Sequence, residues 1–80
     1  MLIGPVMQWL LADVRDVPGQ VKTFYWQRYH VTFGGRRQSF HRIVRRCAKL
    51  NLLHVSHNES GGREGRLHPG PQAPGSVPGV

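Results

Sequence analysis

Residues 36–49 read RRQSFHRIVRRCAK, and six of these fourteen are fixed cations: Arg36, Arg37, Arg42, Arg45, Arg46 and Lys49. No acid interrupts them. Guanidinium groups are planar forks of N–H donors that match phosphate oxygens, so the chemistry on offer is anion recognition rather than bond-making. Ser39 follows Arg36-Arg37 with one residue between, a pattern that basophilic protein kinases use, and it is a candidate phosphorylation site. A phosphate at the start of a helix is favoured by the helix dipole, and it would cancel part of the neighbouring charge.

Other chemistries find little to work with. Four carboxylates serve the whole chain, two near each end, and no nucleophile is flanked by a base and an orienting group, so the chain reads as a non-enzyme. Cys47, the single cysteine, falls on an apolar stripe where a buried thiol is inert, and it forms no internal disulfide. His54 and His57 lie three apart with Cys47 two turns earlier, one weak pair where zinc sites use two, so neither a metal nor another cofactor is expected. Asn58-Glu59-Ser60 is a formal glycosylation sequon, which matters only in a secreted chain.

The charge of +7 is unevenly spread. Between Asp16 and Glu59 lie Lys22, Arg28 and the six cations above, with no acid at all. Such a block attracts polyanions: nucleic-acid phosphate first, with an anionic membrane surface or an acidic protein as the rival partner. Tyr25, Trp26 and Tyr29 stand just upstream and are candidate stacking surfaces for unpaired bases, although aromatics in so short a chain more often fill a core. Nine arginines against two lysines, with ten glycines and six prolines, is also what GC-rich coding DNA yields. A third reading is therefore the product of a short open reading frame, a microprotein with little defined function.

These residues need elements to hold them. Pro5 suits the first turn of a helix over about residues 5–17, with Val6, Trp9, Leu10, Asp13 and Val17 on one side and Pro18-Gly19 ending it. QVKTFYWQRYHVTF, residues 20–33, is rich in β-branched and aromatic residues and reads as an extended segment; with no second strand to pair it, a helix is the alternative. After Gly34-Gly35, Ser39 can cap a helix from Phe40 to about Val55. Phe40, Ile43, Val44, Cys47, Leu50 and Leu53 then form an apolar stripe, opposite Arg42, Arg45, Arg46 and Lys49. From Ser56 onward Pro and Gly dominate, which predicts a disordered tail.

GRRQSFHRIVRR, residues 35–46, resembles the start of the long basic helix in a family of rRNA-binding ribosomal large-subunit proteins, which also place Gly-Arg-Arg ahead of an arginine-bearing amphipathic run. The resemblance covers about a dozen residues and implies RNA as the partner.

The expectation is thus a mainly α, small single domain over residues 1–57: two amphipathic helices joined by an aromatic extended segment, with a disordered Pro/Gly-rich tail over 58–80. Its core is small enough that stability can depend on a partner. No apolar run approaches the ~18 residues that span a bilayer, and the N-terminus lacks the basic start of a secretory signal, so a soluble intracellular location is expected.

Overall fold

The structure is a computed structural model that describes residues 4–57 and 65–73. The glycosylation sequon and the remainder of the expected tail, residues 58–64 and 74–80, lie outside the described residues. The architecture is mainly α: helices α1 (Pro5–Asp16), α2 (Lys22–Phe33) and α3 (Arg37–Lys49), followed by strands β1 (Leu53–His57) and β2 (Gly65–Pro69). Among the described residues no helix is long and apolar enough to cross a membrane.

α1 forms as the sequence predicts, with Pro5 in its first turn, and the chain turns at Gly19, whose φ of 84° suits a residue without a Cβ. It buries Leu10, Leu11 and Val14. Asp13 faces inward with them, and the Arg28 guanidinium of α2 holds its carboxylate with contacts of 2.7–3.0 Å. A buried carboxylate is tolerated because it is paired. This ion pair joins α1 to α2.

The aromatic segment is a helix, not an extended strand. Isolated, its composition favours β structure, but among the described residues only its start, Gln20 and Val21, meets a strand edge, whereas the helical period places aromatic rings one turn apart. Tyr29 packs on Phe33 at 5.4 Å and Trp26 on His30 at 5.1 Å between ring centroids. Tyr25 and Tyr29 enter the core, while Val31, which a strand would align with them, is 85% exposed. The Tyr25 hydroxyl donates to Val17 O and accepts from Gln20 N–H, tying the α1–α2 connection to the helix it leads into. Gly34 ends α2 in the left-handed conformation, its N–H returning to His30 O.

α3 begins earlier and ends earlier than periodicity predicts. Arg36 occupies the N-cap position without a side-chain capping bond, so Ser39 sits inside the first turn and is not the cap. The helix stops at Lys49 because the chain reverses at Asn51, which adopts φ 61°. Leu53, the last member of the expected stripe, still reaches the core, but from β1.

β1 and β2 pair antiparallel, with Leu53 opposite Pro69, Val55 opposite Leu67 and His57 opposite Gly65. Disorder from residue 58 onward is therefore corrected for residues 65–69. The other edge of β2 reaches the α1–α2 connection: Val21 forms a bridge with Arg66, Gly19 N–H donates to Leu67 O, and Leu67 N–H donates to Gln20 O. Backbone bonding thus recruits a segment whose side chains give little β signal. Leu67 is fully buried and joins β2 to the core. Leu10, Leu11, Val14, Tyr25, Tyr29, Phe40, Val44, Cys47, Leu52, Leu53 and Leu67 form one continuous core under all five elements.

Candidate nucleic-acid interface

The burial of α3 decides what its cations can touch. Phe40, Val44 and Cys47 are nearly or fully buried, and Phe40 packs on Tyr29 and Trp26 of α2 with ring centroids 5.5 and 6.0 Å away. At 100° per residue, Arg42, Arg45, Arg46 and Lys49 then share an arc of about 100° on the opposite side. All four are exposed, and together with Leu50 they surround a shallow depression. Arg36 and Arg37 are also exposed, at the start of the helix, and Ser39 is exposed in its first turn beside Gln38.

None of the six cations is spent on an ion pair among the described residues; the two such pairs are Arg15–Asp16 and Arg28–Asp13. The described acids both lie on α1, away from this face. The arrangement can therefore line up several guanidinium groups along an anionic polymer without first breaking an internal contact. The apolar seam of α3 packs against the core: Phe40, Val44 and Cys47 lie within it, and Ile43 and Leu50 pack partly buried at its edge.

The candidate stacking surfaces are not gathered there. Tyr25 is 0% exposed and Tyr29 5% exposed, so neither presents a ring to a base. Trp26 is half-buried and spends its faces on Tyr29, His30 and Phe40. Burial and the small apolar demand of a short chain explain this: its largest rings must build the core.

Three residues that sequence reasoning passed over join the cations. Lys22, the first residue of α2, and His57, the last of β1, converge on the flank of α3, where His41 and Arg45 stand one turn apart. The i, i+4 spacing of His41 and Arg45 was visible in the sequence; the approach of Lys22 and His57 depends on the hairpin and was not. His41 is held below the ordinary imidazole range, first by burial and then by Lys22, Arg37 and Arg45. The Cys47 thiol is pushed up to about 11 by burial, against a small opposing effect of Arg46. A thiol in that state is neither nucleophile nor ligand at neutral pH.

No family model matches the chain, and no curated protein matches it. Among solved structures, an uncharacterized SlyA-like transcription regulator from Listeria monocytogenes superposes with a TM-score of 0.62 at 14% sequence identity. The match covers 86% of this chain and 43% of that one, so this chain spans less than half of its structural neighbour. At this identity the likeness is one of fold alone, and here that fold is three helices followed by a two-stranded antiparallel hairpin.

Proposed function

We propose that the protein binds duplex nucleic acid, DNA ahead of RNA, by laying the exposed side of α3 against the phosphate backbone and into the major groove. The observation that carries this reading is the arc of Arg42, Arg45, Arg46 and Lys49, exposed and unpaired by acid among the described residues. Arg36 and Arg37 extend the contact at the helix start. The structural neighbour, named as a transcription regulator, lends support from fold alone.

The choice of DNA is geometric. The major groove of B-DNA is ~12 Å wide and admits a helix. The A-form RNA groove is deep and narrow and does not. The resemblance of residues 35–46 to a ribosomal basic helix favours RNA, so an RNA duplex belongs in the test. Gln38, in the first turn and exposed, is the side chain suited to reading an adenine edge. Ser39 beside it remains the candidate modification site, where a phosphate would repel the backbone.

The test is fluorescence anisotropy with labelled DNA and RNA duplexes across a salt series. About five neutralised phosphates give a log–log salt slope near −4 to −5. Changing Arg42, Arg45 and Arg46 together to Gln should weaken binding across sequences and flatten the slope by about 2 to 3. Binding that ignores salt, or a triple variant with the original slope, refutes the reading. A clear preference for the RNA duplex would reverse the order of the two partners.

A further inference from the structure

We propose that the pocket between α2, α3 and β1 binds a single phosphate group and takes up a proton as it fills. Its walls carry Lys22 from α2, His41 and Arg45 from α3, and His57 from β1, over a floor that includes Val44 and Val55. The cavity is about 250 Å³. That is smaller than the ~300–1,000 Å³ typical of organic ligand sites, and it suits a compact anion.

Charge sets the ligand class. Every ionisable side chain in the walls is a base, from three separate elements, and Arg37 adds its field from the start of α3. Of the cations outside the walls, Arg66 of β2 donates to Gly19 O, Arg28 of α2 holds Asp13, and Arg42 stands beside His41 and Arg45 on the outer side of α3. Asp13 and Asp16, the described acids, belong to α1 and do not line the pocket. Gly65 of β2 lets the hairpin close on this corner, since a Cβ there would stand 2.4 Å from Val55 Cγ1, and 3.7 Å from Lys22 Cε. Two fixed cations and two imidazoles converge with no internal anion among the described residues to balance them, and a tetrahedral phosphate supplies that balance with hydrogen-bond acceptors on every side.

The proton follows from the same geometry. Burial, and then Lys22, Arg37 and Arg45, lower the His41 titration and disfavour its charged form. An anion placed among those cations inverts the local field and favours the imidazolium, which also gains a donor toward the phosphate. Binding therefore strengthens as pH falls through the bound-state titration of His41, and levels off below its free-state titration. The site does not depend on the reading above, because inorganic phosphate alone can occupy it. If that reading holds, the same pocket takes a backbone phosphate beside the α3 contact.

The test follows the His41 ring by two-dimensional NMR through a pH titration of the whole chain, alone, with inorganic phosphate, and with a DNA duplex. Duplex affinity is measured in parallel at pH 5.5 and 7.5, because a phosphodiester does not titrate there. The His41 midpoint should rise by about one unit on filling, and duplex affinity should gain about 3- to 10-fold on acidification. His41→Gln should reduce the pH dependence, and Lys22→Gln should weaken occupancy while keeping His41 as the reporter. A midpoint raised by both ligands, or by the duplex alone, supports the site. One raised by inorganic phosphate alone supports the site as one for free phosphate and overturns only its use for a backbone phosphate. A midpoint unmoved by either ligand overturns the proposal.

Discussion

Gly70 gives the sharpest test of how the C-terminal part of the chain is held. A Cβ built there would stand 2.3 Å from Asn51 O, 2.7 Å from Asn51 C and 2.9 Å from Leu52 C. All three neighbours are backbone, so no side chain can swing aside. The same segment is fastened by three backbone hydrogen bonds: Gly70 N–H to Leu52 O at 3.0 Å, Gln72 N–H to Asn51 O at 2.9 Å, and Ala73 N–H to Gly70 O at 3.1 Å. Forcing a methyl into such a contact costs about 1–3 kcal/mol, and each hydrogen bond stretched or lost adds about 1 kcal/mol. Gly70→Ala should therefore destabilise by about 2–4 kcal/mol. A domain of this size holds only about 3–9 kcal/mol in total, at ~0.05–0.15 kcal/mol per residue. Each kcal/mol moves the midpoint of so small a domain by about 4–8 °C, so the melt should fall by about 10–30 °C. Thermal unfolding followed by circular dichroism at the helix band measures it. Gln72→Ala is the control, an exposed side chain whose amide bond survives the change, and it should stay within about 0.5 kcal/mol. A Gly70→Ala melt within about 2 °C of the parent would mean that residues 70–73 are not seated on residues 51–52 at all.

Three further outcomes follow from groups already described. Cys47, 0% exposed and with its thiol pushed up to about 11, should resist iodoacetamide in the native state and react in proportion to the unfolded fraction in urea; rapid native labelling, read by mass spectrometry, would contradict its burial. Because His41 titrates lower folded than unfolded, its contribution to stability is intact above the ordinary histidine range and is lost as pH falls through its folded titration. The urea midpoint without phosphate should accordingly drop between pH 7.5 and 5.5, by less in His41→Gln, and an equal drop in both proteins would dismiss the effect. Ser39→Glu should lower duplex affinity by about 3- to 10-fold at low salt with little change in melting temperature, since it adds a charge to an exposed first turn that already faces the arginines. Unchanged affinity at low salt would remove Ser39 from the interface.

Two of the three helices were legible because their apolar residues recur at helical spacing and their ends carry recognisable breakers. Even there, the boundaries of α3 depended on features without a clear sequence sign. Asn51 in a left-handed conformation ends the helix early, and Leu53 keeps its inward position only because the strand that follows happens to point it there. α2 was hidden by composition. Its threonines, Val31 and rings favour a strand, and Tyr25 and Tyr29 share a side under either period; the exposure of Gln27, Val31 and Phe33, which a strand would align with those tyrosines, separates the two readings. β2 was hidden more deeply, since Gly65, Arg66, His68 and Pro69 carry weak strand propensity and the pairing rests on main-chain groups. The six cations of the candidate interface were visible from their spacing. The basic pocket was not, because Lys22 and His57 come to His41 and Arg45 only once helix, helix and hairpin have been assembled.

The clasp between Leu67 and residues 19–20 has a consequence for the order in which the protein can be made. The backbone groups that β2 satisfies belong to the first turn of the chain, and the Arg66 side chain reaches Gly19 across 47 positions of sequence. During synthesis, α1, α2 and α3 emerge long before their final partner does. Until then Gly19 N–H and Gln20 O have only water to bond, and the space that Leu67 fills stands open. Closing so long a loop is slow relative to local helix formation. A chain that ended before β2 would lack both the backbone partners of Gly19 and Gln20 and the buried Leu67 side chain.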